Sequence, residues 1–194
     1  MSVSLSRLSR RIPVLAVVMA VSLSGSARAL SASPSSPGIR IDNFGKVSDA
    51  LYRGAQPAGR DYRDLAALGV KTVVNLRDDG DASEPALVKK AGMNFVLIPM
   101  SGWERPSDAA VAQFLDIMSK PENQPVFVHC KVGKHRTGAM VALYRMTTDR
   151  WDASKAYTEM QKYHFDVPFT PHTQLKQFVF DYYGQLQQTA KVNR

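Results

Sequence analysis

One cysteine in 194 residues rules out an internal disulfide and any metal site built from several thiolates. Long apolar runs are also missing, since residues 12–23 fall short of the ~20 residues that a membrane helix needs. Excess positive charge is modest. The chain carries 25 Lys and Arg against 17 Asp and Glu, and four of the arginines stand within residues 1–29, which leaves 21 against 17 in the remainder. No basic stripe interleaved with aromatics is present, so nucleic acid is not an expected partner. No internal repeat is evident. With 44% hydrophobic residues the chain reads as one domain around one core.

The N-terminus has a different character from the rest. Arg7, Arg10 and Arg11 precede the apolar run, and Ala27, Arg28 and Ala29 form an AxA-like cleavage site. Residues 1–29 therefore read as a secretory signal peptide, the alternative being an uncleaved N-terminal anchor. Residues 30–38, rich in Ser and Pro, read as a flexible linker, residues 39–185 as the folded domain and residues 186–194 as a C-terminal tail.

Within the domain, short β-rich runs alternate with helical periodicity. Strands are expected at 51–53, 72–76, 94–99 and up to His129, with helices at 62–68, 84–91, 107–119, 137–148, 153–162 and 173–183. This alternation predicts an α/β fold: a single domain with a mainly parallel central sheet and helices on both faces.

The chemistry concentrates in VFVHCKVGKHRTGAM, where Cys130 ends an apolar strand and Arg136 stands at a helix start. Gly133 permits a tight turn whose backbone N–H groups point inward, and the positive end of the following helix reinforces this anion nest. The same field favours a thiolate over a thiol, which makes Cys130 a nucleophile. Arg136 adds a planar fork for two phosphate oxygens, and Thr137 offers a hydroxyl to the sulfur. A lone cysteine after apolar residues is ordinarily a small core residue, but here it has company on both sides.

His129, Cys130, Gly133, Arg136 and Thr137 match the HCxxGxxR-Ser/Thr signature, and the chain resembles the cysteine-dependent protein tyrosine and dual-specificity phosphatases. The segments GKHRTG (133–138) and LYRGAQP (51–57) are most similar to the compact, atypical members from plants, fungi and bacteria. The resemblance implies a phosphate loop between a strand and a helix. It makes Cys130 the atom source that attacks phosphorus, Arg136 the phosphoryl clamp, and Lys131, Val132, Gly133, Lys134, His135 and Arg136 the cradle, with His129 ordering the loop from beneath. It implies no metal and no cofactor. The expected partner is a phosphorylated substrate, either a phosphoprotein or a polyphosphorylated small molecule, and the expected compartment is the bacterial periplasm. Inositol polyphosphate or pyrophosphate hydrolysis, or phosphate binding without turnover, are the alternatives.

A general acid is harder to find. Family members carry an aspartate on a separate upstream loop, but the usual spacing lands here on Met100. In the loop SGWERP (101–106) the first carboxylate is Glu104, the leading candidate, and Asp108 is the alternative, although its place after Ser107 suits a helix first turn. Arg53 and Arg77 read as strand-end residues with structural roles. Asp78, Asp79 and Asp81 read as a turn, because the later oxygens of a calcium loop are missing. Trp103 either packs its own loop or stacks on an aromatic substrate, and His164 and His172 read as loop residues.

Overall fold

The computed structural model describes residues 38–165 and 172–192; the expected signal peptide and nearly all of the expected linker lie outside them. Five strands, β1 (Gly45–Lys46), β2 (Leu51–Gly54), β3 (Thr72–Arg77), β4 (Asn94–Met100) and β5 (Val126–His129), form one sheet in the order β1-β2-β5-β3-β4. All neighbours run parallel except the β1–β2 pair. β3 and β5 are buried almost end to end, which is why residues 73–74 and 126–128 are apolar on both faces rather than alternating.

Side-chain alternation along these strands feeds two cores. Val73 and Phe127 face α1 (Asp61–Ala67) and α2 (Glu84–Lys90), packing with Leu65 and Val88. Val74, Val126 and Val128 face the other way, toward α3 (Asp108–Ser119), α4 (His135–Thr147), α5 (Ala153–Lys162) and α6 (Thr173–Val192). The helices therefore cover both faces, as expected. α4 is buried from Arg136 through Tyr144, so it is the inner helix of its layer and lacks a polar stripe. Two helix starts are capped by side chains: at α3 Ser107 Oγ accepts from Ala110 N at 3.2 Å, and at α5 Asp152 Oδ1 accepts from Lys155 N at 2.7 Å.

Three features depart from expectation. β1 is only two residues long, too short for any periodicity to reveal. α4 starts at His135, not Thr137. α6 continues past Tyr183 to Val192, so most of the expected 186–194 tail is helix: a glycine inside a helix costs only ~1 kcal/mol, and Leu186, beyond Gly184, still packs on the core.

The parallel register sets up the functional rim. Gly54 and Asn75 both stand opposite His129, and Arg77 stands opposite Met100, which gathers the carboxyl ends of four strands along one edge of the sheet. Gly54 is required there because a Cβ would lie 2.9 Å from both Ile41 Cγ2 and Phe127 Cζ. Gly54→Ala is expected to destabilise the domain by about 1–3 kcal/mol through overpacking, measured as a lower urea midpoint at unchanged slope.

Candidate active site

Residues 130–134 leave β5 and enter α4 as a tight loop with Cys130 at its base, 2% exposed. Gly133 has φ of +69°, and a Cβ on it would stand 2.5 Å from the Gly54 carbonyl carbon, so the loop lies directly on the end of β2. Three donors from outside tie its carbonyls in succession. Gln56 N donates to Lys131 O at 3.3 Å, Asn43 Nδ2 to Val132 O at 2.8 Å and Arg53 Nη2 to Gly133 O at 2.7 Å. In a trans peptide the C=O and the next N–H point in opposite directions, so the amides of Val132, Gly133 and Lys134 face inward. The first intrahelical bond of α4 runs from Gly138 N to Lys134 O at 3.0 Å, and the amides of His135, Arg136 and Thr137 belong to the open helix end. Together these residues make an anion cradle around the thiol.

The floor of the cradle is polar and sealed. His129 is fully buried, and its Nε2 lies 3.0 Å from Glu84 Oε1, itself fully buried. The same carboxylate accepts from Gln56 Nε2 at 2.7 Å, from Tyr62 Oη at 3.1 Å and, on its other oxygen, from Asn75 Nδ2. Burial pushes the Glu84 carboxyl up, but the His129, Gln56 and Tyr62 contacts outweigh it and hold the group below its ordinary value. Thr137 Oγ1 is buried and has no hydrogen-bond partner among the described residues.

Two arginines face the loop from different sides. Arg53 lies under it, fully buried, with its guanidinium 3.8 Å from the Tyr163 ring centroid. Burial lowers its pKa to about 10, while the charges of Tyr163, Glu159 and Cys130 pull the other way, so it stays cationic at neutral pH. Arg136 has its Nη1 fixed by Asp78 Oδ1 at 2.8 Å and by Met100 O at 3.0 Å. Both anchors use one nitrogen, which leaves the Nε–Nη2 edge as the fork for an oxyanion. Arg77 in turn grips Asp79 and holds that carboxyl down at about 2, and it donates from Nη1 to Gln56 Oε1 at 3.0 Å.

The loop 101–106 closes the site above Arg136: a Cβ on Gly102 would stand 4.0 Å from Arg136 Nε. Glu104 is exposed in that loop. Asp108 is the exposed first residue of α3, behind the Ser107 cap, where its charge favours the helix dipole. Trp103 stacks on His172, with centroids 4.5 Å apart, and keeps 59% exposure. Lys131 is exposed and Lys134 half-buried at the outer rim. They line a hollow of about 370 Å³ with Asp42, Asn43, Ala55, Val132 and His164.

The fold thus brings Cys130, Lys131 to Arg136, His129 and Thr137 together, and it leaves Glu104 and Asp108 both exposed, the one in loop 101–106 and the other at the start of α3. Sequence reasoning missed Glu84, Asp78 and Gln56, and it underrated Arg53 and His172. Glu84 had one available signal, an acid at the start of a helix, but that pattern points to the helix dipole and not to the interior. Asp78 read as a turn residue and is the partner of Arg136.

Residues 38–178 match a family model described as DSP-PTPase phosphatase fused to NAD+ kinase. The chain is 36% identical over 121 residues to the dual specificity protein phosphatase TpbA of Pseudomonas aeruginosa, covering 62% of this chain and 54% of that protein. It therefore spans about half the length of the curated relatives that it matches first. The core catalytic domain of the PP-IP phosphatase SIW14 from S. cerevisiae, in complex with citrate, superposes with a TM-score of 0.65 at 25% identity, covering 79% of this chain and 93% of that one. A cysteine-to-serine form of P. aeruginosa TpbA in complex with pTyr gives 0.54 at 29% identity, covering 74% and 91%.

His135 carries a pH prediction. Burial, and then the charge of His172, lower its pKa from 6.5 to about 4. Unfolded chains take up that proton near pH ~6.5, so the unfolded state binds more protons between about 6.5 and 4. Stability from this group is complete above about pH 6.5 and is lost as the pH falls toward 4; urea titrations across that window should show a decline that His135→Asn reduces.

Proposed function

This chain belongs to the DSP-PTPase family of phosphatases, and on that premise we propose that it hydrolyses phosphate monoesters, aryl phosphates among them, through a phosphocysteine. The observation that carries the reading is the outward tying of three consecutive loop carbonyls around Cys130, which leaves inward amides and an anchored Arg136 about one tetrahedral oxyanion. Cys130 Sγ attacks phosphorus. The S–P bond forms as the bond to the ester oxygen breaks, and the leaving oxygen takes a proton from Glu104. Water, giving its proton back to Glu104, then breaks the S–P bond and releases inorganic phosphate. Arg136 and the cradle amides follow the charge on the equatorial oxygens through both steps. The exposed face of Trp103 at the rim favours an aromatic ester.

A second reading has its own support. The hollow beside the loop carries Lys131, Lys134 and His164, which suits a substrate with a further phosphate, as in an inositol polyphosphate or pyrophosphate. Export to a bacterial periplasm belongs to the same proposal. It is supported by the arginines, apolar run and AxA site of residues 1–29.

Cys130→Ser is expected to reduce vanadate-sensitive phosphate release to background, whereas retention of turnover would remove the thiol from the mechanism. With a poor leaving group such as phenyl phosphate, Glu104→Gln should lower kcat/KM about 10²-fold, and Asp108→Asn should leave it near wild type. The reverse pattern would assign the acid to Asp108. Lys131→Ala with Lys134→Ala discriminates the two substrate readings: a loss confined to inositol polyphosphates, against phosphopeptide and aryl phosphate at one salt concentration, favours the second.

A further inference from the structure

Loop 101–106 is tied to α6 at two separate points. At one, His172, the residue preceding α6, lies between two rings: Trp103 at 4.5 Å between centroids and 17° between planes, and His135 at 3.4 Å and 26°. Its Nδ1 is 2.7 Å from Gly102 O. A carbonyl only accepts, so Nδ1 carries the proton and donates it. At the other point Arg105 Nη1 donates to Asp181 Oδ2 at 2.8 Å, with its guanidinium 5.3 Å from the Phe178 ring centroid. Glu104 stands between Trp103 and Arg105 in the chain and is therefore bracketed by these two ties.

The three-ring column has a specific geometry. His135 opens α4 directly after the phosphate loop, His172 precedes α6 and Trp103 belongs to loop 101–106, so one stack connects the cradle to the segment that carries the acid. The buried His172 ring thus fixes the height of loop 101–106 above the cradle, and its hydrogen bond fixes the loop's rotation through Gly102, the residue beside Arg136 Nε. An acid that must meet a leaving oxygen within hydrogen-bond reach depends on both.

We propose that His172 is a positioning residue that holds loop 101–106 in place so that Glu104 reaches the leaving-group oxygen. This rests on the phosphocysteine reading above. His172 does not touch the substrate, so its loss weakens proton donation while Arg136 keeps its own anchors on Asp78 and Met100.

The discriminating measurement is kcat/KM across a series of aryl phosphates of increasing leaving-group pKa, in the full chain, together with vanadate affinity. His172→Ala removes ring and donor, and His172→Phe keeps a ring in the stack while removing the donor. Both should lower kcat/KM about tenfold for phenyl phosphate and less than about twofold for a dinitrophenyl phosphate, and His172→Phe, which keeps a ring against His135, should leave vanadate affinity unchanged. In a Glu104→Gln background the further effect of His172→Phe should vanish, because the residue acts through that carboxylate. Equal loss with every leaving group, weakened vanadate binding in His172→Phe, or additivity with Glu104→Gln would overturn the assignment. Absence of Cys130-dependent turnover in the wild type would instead sink the phosphatase reading itself.

Discussion

The site depends on a buried carboxylate. Glu84 is fully sequestered, yet it meets His129 at the end of β5, Asn75 on β3 and both Gln56 and Tyr62 from the segment after β2. Taking an ionised carboxyl out of water is strongly unfavourable unless its lone pairs are matched, and here both oxygens are engaged. Removing it would leave several buried donors without an acceptor. The arrangement ties three strand ends to one atom pair, and the loop around Cys130 is built on those ends.

Above this floor, charge is layered. Arg53 lies below the phosphate loop, Arg136 beside it, and the N-terminus of α4 opens toward it, while the acids that balance the cations stand outside: Asp78 on Arg136, Asp79 on Arg77. This order leaves a positive interior facing the thiol without requiring a strongly basic protein. Gln56 joins the layers, donating to Glu84 and through its backbone to Lys131 O, and accepting from Arg77. The modest net charge of the chain is consistent with a field made by placement instead of by number.

What was legible in the sequence was what is contiguous in it. Cys130 to Thr137 forms a single uninterrupted stretch whose residue types each have one evident use, and the buried strands declare themselves through unbroken apolar runs such as Val126 to Val128. The two-sided parallel sheet followed from the alternation of these runs with helical periods. Contacts that join distant segments were not legible. Glu84 looks like any acid opening a helix, His172 like any loop histidine beside a proline, and Asp78 like a turn residue, because their partners stand 45, 70 and 58 positions away respectively. Arg53 was visible at a strand end, but only the positive φ of Gly133 and its closeness to Gly54 explain why a guanidinium is needed beneath that carbonyl. α6 runs past its expected end at Tyr183 for a local reason: Gly184 does not stop a helix whose next leucine, Leu186, still finds the core.

The donors on the three loop carbonyls come from Asn43, Arg53 and Gln56, all on or next to β2, and none comes from the loop itself. The ring of amides is consequently preorganised: its ordering entropy is spent when the sheet assembles, not when a ligand arrives. A rigid ring of this kind discriminates by shape, favouring compact oxyanions that present three oxygens to the amides at once. On the proposed phosphocysteine reading, reversible inhibition by inorganic phosphate is the natural corollary, which would couple turnover to the local concentration of its own product.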